Sequence, residues 1–148
     1  MRYTLLFSIL LLINGSCAKT KFSSTPSLKF ESVNTTQLQR HELIAFTLTF
    51  TDAEGDFSDT SLIYVQKVVS NCSNSNNDSF FSLPPFPTSK DQKASINVTL
   101  GNNADPSYED ISPKCSPQND TAVFRFVLKD NANHISDTAS SPTIIIYN

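Results

Sequence analysis

An all-β fold is predicted for this chain of 148 residues by three features of its sequence. Apolar residues recur with a period of two in several segments, as expected for strands with one buried face. No stretch of a dozen residues shows the 3.6-residue period of a helix. Turns rich in Asn, Asp, Ser and Pro separate the apolar segments. Together these features predict a single antiparallel β-sandwich of immunoglobulin-like type, with a small closed β-barrel as the alternative.

Six segments carry the strand pattern. The first, at residues 28–31, is weak, whereas alternation is clear in Ile44-Ala45-Phe46-Thr47-Leu48 and continues to Thr51. Two segments are apolar on both faces, as is typical of central strands. The predicted strands are, in order, residues 28–31, 44–51, 62–69, 96–100, 124–129 and 143–147.

The N-terminal segment has the organisation of an export signal. Arg2 and the amino terminus form a short positive region, followed by an apolar run at residues 5–13. That run is too short to span the ~30 Å hydrocarbon core of a bilayer as a helix. The sequence therefore predicts a signal peptide over residues 1–16.

The end of this segment resembles the lipobox of bacterial lipoproteins. Small residues, Gly15 and Ser16, precede Cys17, although Asn14 stands where leucine is usual. In that family the peptide is cleaved before the cysteine, which then carries the lipid. The resemblance implies that Cys17 is lipidated; the alternative is an ordinary secretory peptide with Cys17 free or disulfide-bonded. The remaining chain divides into a polar tether at residues 17–27 and one domain at residues 28–148.

Composition excludes several classes of function. Eleven basic and fourteen acidic residues give a net charge of −3 without a basic cluster, which argues against nucleic acid as a partner. The three glycines are too few and too widely spaced for a nucleophile elbow or a phosphate-binding loop, and no His-Glu-x-x-His zinc motif is present. We therefore expect a protein that is not an enzyme.

Two cysteines, Cys72 and Cys115, remain in the exported chain. An oxidising compartment and an even number of cysteines predict one disulfide between them. The alternative is two free thiols. A metal site is disfavoured because neither cysteine belongs to a Cys-x-x-Cys pair.

Two connections, residues 70–93 and 101–119, are longer than a sandwich requires. Loops of this length are commonly functional. The first carries Phe80, Phe81 and Phe86, which we interpret as a candidate binding surface for a glycan or another envelope protein. Alternatively, these aromatic residues cover an open edge or end of the sandwich.

Acidic residues follow two of the predicted strands. Asp52, Glu54 and Asp56 surround a glycine after the second strand, and Asp130 follows the fifth. If these two strands are the second and sixth of an immunoglobulin-like sandwich, the loops after them lie at the same end. Carboxylate oxygens are the ligands that calcium prefers. The sequence predicts a shared calcium site here, with ordinary solvated turns as the alternative.

The chain resembles a family of small lipoproteins from Bacteroidetes-type bacteria. The resemblance lies in Cys17, in Phe50-Thr51-Asp52-Ala53-Glu54-Gly55-Asp56-Phe57, and in the segment from Phe124 to Ser136. Asn133 replaces the glycine that is usual there. The resemblance implies a β-sandwich lipid-anchored to the outer membrane, and it implies no reaction.

Surface lipoproteins of such bacteria resemble one another in carrying acidic residues after the lipidated cysteine. This chain has Lys19 and Lys21 and no acidic residue before Glu31, which favours the periplasmic face of the outer membrane. We expect a non-enzymatic envelope protein with a binding or accessory role. A purely structural envelope lipoprotein and a hydrolase without a recognisable motif are the alternatives.

Overall fold

The computed structural model describes residues 21–57 and 60–148, which form two β-sheets packed face to face. The predicted signal peptide and Cys17 lie outside the described residues. The strands of this part of the chain are β1 (Ser27–Val33), β2 (Gln37–Leu38), β3 (Leu43–Asp52), β4 (Leu62–Val69), β5 (Asn77–Ser82), β6 (Gln92–Gly101), β7 (Asp120–Lys129), β8 (Ala139–Ser140) and β9 (Ile144–Ile146), with one 3-10 turn at Ser73–Ser75.

The strand order confirms the predicted all-β sandwich. One sheet has the order β1-β3-β6, and the other has the order β2-β9-β7-β4-β5 with β8 paired to β7. All pairs are antiparallel except β2 with β9, and the sheets do not close into a barrel. Consecutive strands β3 and β4 belong to different sheets, as do β6 and β7, which is the immunoglobulin-like arrangement.

The core lies between the sheets and follows the alternation in the sequence. Every second residue of β3 is buried, and β7 alternates in the same way. Phe46 of β3 contacts Phe124 and Phe126 of β7, with ring centroids 4.8 and 5.2 Å apart. These contacts join the two sheets, because β3 and β7 belong to opposite layers.

The segment at residues 70–93, predicted as a loop, contains a strand. β5 pairs with β4 from Asn77 to Ser82 and forms an edge of its sheet. Its partly buried positions are Asn77, Ser79 and Phe81, whereas Phe80 points outward. Polar residues on the inner face and an aromatic residue on the outer face conceal the usual alternation.

The domain also begins earlier than predicted. The Ser23 carbonyl accepts a hydrogen bond from the Ala53 amide at 2.9 Å. The amides of Lys21 and Phe22 both donate to Asp91 Oδ1, at 2.7 and 3.2 Å. Residues 21–26, which the sequence assigned to the tether, therefore pack onto the sandwich before β1 begins.

A buried ion pair lies at the end of the core where β4 ends and β7 begins. Lys67 Nζ of β4 lies 2.6 Å from Asp120 Oδ2 at the start of β7, and both side chains are almost fully buried. The same ammonium donates to the Ile111 carbonyl at 2.7 Å, and the Ser75 hydroxyl donates to Asp120. Burial lowers the pKa of Lys67, and the hydrogen bond and charge of Asp120 oppose that shift.

The predicted disulfide is confirmed. Cys72 and Cys115 are bonded, with their Cα atoms 6.3 Å apart. The bond ties the loop at residues 102–119 to the 3-10 turn after β4. Both long connections are thus fastened at the end of the sandwich that also holds the Lys67–Asp120 pair.

We expect Cys72 and Cys115 to resist alkylation in the native protein and to react only after reduction. Reduction should lower the free energy of unfolding by about 2–4 kcal/mol, because the unfolded chain regains the freedom of a long loop. Alkylation followed by peptide mass mapping reports these two cysteines separately from Cys17. Labelling of both in the unreduced native protein would contradict the bond.

Candidate functional site

The acidic residues meet at one end of the sandwich, as the sequence predicted from topology. Asp52 is the last residue of β3, Asp56 lies in the loop that follows, and the turn after β7 begins with Asp130. Each of these three carboxylates offers one oxygen, and the three oxygens lie within 4.8 Å of one another. We call these three residues the aspartate cluster.

The loop after β3 holds Asp52 in place through backbone hydrogen bonds. Asp52 Oδ2 accepts from the amides of Glu54 and Gly55, at 3.0 and 2.6 Å. Gly55 has a φ of 63°, and a Cβ atom there would lie 2.1 Å from the Ser89 carbonyl oxygen. This turn therefore requires glycine.

The turn after β7 is joined to the same loop. Asp56 Oδ2 accepts a hydrogen bond from the Ala132 amide at 3.2 Å. Asp130 accepts from the His134 amide at 2.8 Å, and its other oxygen lies 3.0 Å from His134 Nδ1. Asn133 has a φ of 70°, a conformation that asparagine tolerates better than most residues. These bonds fix Asp56 and Asp130 relative to each other.

Burial makes the negative charge of this end costly. Asp52 is 0% exposed, and burial raises the pKa of its carboxyl, with further contributions from the charges of Asp56 and Asp130. The Gly55 and Glu54 amides oppose that shift. The electrostatic environment of the aspartate cluster therefore favours a bound proton or a cation.

Glu54, the fourth predicted ligand, does not join the aspartate cluster. Its side chain is exposed, and only its amide takes part, as a donor to Asp52. The structure thus brings together three of the four predicted metal ligands.

The three predicted binding aromatics separate into two environments. Phe80 is 66% exposed and lies against Tyr64 on the outer face of the sheet, with ring centroids 4.9 Å apart. Phe81 and Phe86 are partly buried and pack against the core. The Phe86 ring lies 6.3 Å from that of Phe50, so it helps to close the acidic end of the sandwich.

Around Phe80 the outer face forms a shallow apolar hollow. The residues that line it come from β4, β5, β7 and the turn after β7, and they are Leu62, Tyr64, Phe80, Val127, Lys129 and Ile135. Only Phe80 of the three predicted binding residues belongs to this surface.

The predicted lipid-carrying residue, Cys17, lies outside the described residues. Within residues 21–57 and 60–148, no helix has the length and apolar character needed to cross a membrane.

Comparison with known proteins supports the fold alone. No protein-family model matches the chain, and no curated protein matches it significantly. Among solved structures, the alkylpurine DNA glycosylase AlkC of Pseudomonas fluorescens is similar over 86% of this chain, with a TM-score of 0.51 and 9% identity. The similarity spans 32% of the glycosylase chain.

Two further structures are similar at lower scores. A superoxide reductase (neelaredoxin) from Ignicoccus hospitalis aligns over 82% of this chain and 80% of its own, with a TM-score of 0.40 and 9% identity. The PKD domain of an M14-like peptidase from a Thermoplasmatales archaeon aligns over 84% of this chain and 94% of its own, with a TM-score of 0.40 and 14% identity.

Proposed function

We propose that this protein is a non-enzymatic, lipid-anchored β-sandwich of the bacterial cell envelope. The observation that carries the proposal is the lipobox-like segment ending in Cys17, which lies four residues before Lys21, the first residue that the structure describes. An extended chain spans at most about 3.6 Å per residue, so the sandwich would lie within about 14 Å of the lipid.

The periplasmic face of the outer membrane is the proposed location. Support comes from the resemblance to lipoproteins of Bacteroidetes-type bacteria and from Lys19 and Lys21, which replace the acidic residues of surface-displayed lipoproteins.

The position of Phe80 supports a binding or accessory role, in which this protein would bind another envelope protein or a glycan. The exposed ring of Phe80 and that of Tyr64 provide apolar area on the outer face of the sheet. The alternative, a purely structural envelope lipoprotein, is supported by Phe81 and Phe86, which pack against the core. A hydrolase is disfavoured because the sequence lacks the motifs of the known nucleophile and metal-dependent classes.

The anchor is tested by Cys17→Ser in the full chain. We expect this substitution to abolish palmitate labelling and to move the protein from the membrane to the soluble fraction. One acyl chain binds membranes only marginally, whereas two or three anchor a protein stably. Loss of all of them should therefore release the protein from the membrane. Labelling and fractionation of cells expressing each variant measure the two effects.

Ser16→Ala is the matched control, because it keeps a small residue before the cysteine. We expect its labelling and membrane association to equal those of the unchanged protein. Membrane association of Cys17→Ser at the unchanged level would overturn the lipoprotein assignment.

A further inference from the structure

We propose that Asp52, Asp56 and Asp130 bind one calcium ion at the end of the sandwich. Their nearest carboxylate oxygens lie within 4.8 Å of one another. Oxygens on opposite sides of a calcium ion at 2.3–2.6 Å are about 5 Å apart, so all three fit around a single ion. This proposal is independent of the lipid anchor.

The hydrogen bonding of the aspartate cluster provides a second observation. Among the residues that the structure describes, Asp52 Oδ1 and Asp56 Oδ1 are buried without a hydrogen-bond partner. Asp52 Oδ2 is already occupied by two backbone amides, and Asp56 Oδ2 by the Ala132 amide. A buried carboxylate oxygen that lacks a partner is costly, and a cation would satisfy both oxygens at once.

No lysine or arginine of the described residues forms an ion pair with Asp52, Asp56 or Asp130. His134 Nδ1 lies 3.0 Å from Asp130 Oδ2. A ring nitrogen that hydrogen-bonds a ligand carboxylate fixes its orientation, as partners outside the ligand set commonly do in metal sites. His134 is therefore assigned a positioning role and is not a ligand.

The ligand chemistry selects calcium over other cations. All three donors are carboxylate oxygens, which excludes the nitrogen- and sulfur-rich environments that zinc prefers. The donors come from the end of β3, the loop after it and the turn after β7. Calcium accepts six to eight oxygens in such irregular arrangements. Magnesium demands a nearly ideal octahedron and gives up its bound water reluctantly, so it usually keeps several waters.

The test is calcium titration of the full chain, purified in detergent and freed of metal with a chelator. Calorimetry should show one equivalent of bound Ca²⁺, and thermal unfolding should occur at a higher temperature in Ca²⁺ than in EDTA. At one hundred times the dissociation constant, the ratio of folded to unfolded protein should rise about 100-fold. Mg²⁺ at the same concentration should stabilise less.

Two variants and a control assign the site. Asp56→Asn should weaken calcium binding at least tenfold, and Asp52→Asn combined with Asp56→Asn should abolish it. Asparagine retains an oxygen that can accept the backbone amides at both positions, and circular dichroism verifies that each variant folds. Asp137→Asn removes the same charge from an exposed residue outside the aspartate cluster and should leave binding unchanged.

Three results would overturn the proposal. The first is an absence of heat at millimolar Ca²⁺ together with identical unfolding temperatures in Ca²⁺ and EDTA. The second is unchanged calcium binding by the folded double variant. The third is equal stabilisation by Mg²⁺, which would overturn the assignment to calcium.

Discussion

Replacing Lys67 by methionine is expected to lower the free energy of unfolding by about 3–5 kcal/mol, the cost of removing one partner from a buried ion pair. Lys67 is 2% exposed, and its Nζ contacts Asp120 and the Ile111 carbonyl. Without the ammonium, the Asp120 carboxylate stays buried with its negative charge uncompensated. Urea unfolding followed by circular dichroism measures the loss.

The double variant Lys67→Met with Asp120→Leu distinguishes the cost of an unpaired buried charge from the contribution of the ion pair itself. A buried pair replaced by apolar residues is often neutral in stability, so the double variant should regain most of what the single variant loses. Lys90→Met, at an exposed lysine, should change stability by no more than about 0.5 kcal/mol. A Lys67→Met variant as stable as Lys90→Met would show that the pair is unimportant for folding.

Phe46→Ala is expected to destabilise the domain by about 3–5 kcal/mol, the range for a large aromatic residue removed from a core. The Phe46 ring is fully buried and contacts Phe124 and Phe126 of the opposite sheet. Its removal leaves a cavity between the two sheets, and the rings of Phe124 and Phe126 lose their contact with Phe46. Thermal and urea unfolding measure the change.

Phe80→Ala is the matched control for this prediction. The same atoms are removed, but Phe80 is 66% exposed and contacts one aromatic neighbour, so the loss should stay below about 1 kcal/mol. If Phe46→Ala and Phe80→Ala lowered the free energy of unfolding equally, the contacts of Phe46 between the two sheets would not be a major source of stability.

The predictable part of the fold consists of strands with one apolar face. In β3 and β7 every second residue is buried and most of these residues are apolar, and both strands were predicted. β5 was not predicted, because its inner positions include Asn77 and Ser79 while Phe80 points outward. Short strands such as β2 and β8 have two residues each, which is too short for any period to be recognised.

The Lys67–Asp120 pair was missed although the sequence contains a signal for it. Lys67 occupies the same alternate phase of β4 as the buried Ile63 and Val65. Asp120 stands two residues before the buried Ala122, in the inner phase of β7. Charged residues at inner positions of two adjacent strands, with opposite sign, predict a buried pair. Their pairing across the sheet depends on register, which the sequence does not specify.

The convergence of Asp52, Asp56 and Asp130 was predictable because it follows from topology. Strands in an immunoglobulin-like order place the two loops at one end, whatever their detailed conformation. The outward direction of Glu54 was not predictable, because it depends on the turn that Gly55 forms beside Ser89.

Residues 21–23 are attached to the end of the sandwich that holds the aspartate cluster. In a lipid-anchored molecule this attachment would determine which end of the sandwich lies nearer the membrane. β3 runs ten residues from the disulfide end to Asp52, a length of about 30 Å at roughly 3.3 Å per residue. If Cys17 carries a lipid at the periplasmic face of the outer membrane, as proposed, the aspartate cluster would lie at the end nearer the membrane and the Cys72–Cys115 bond at the end farther from it. A periplasmic partner would then first meet the cross-linked loops at 70–76 and 102–119.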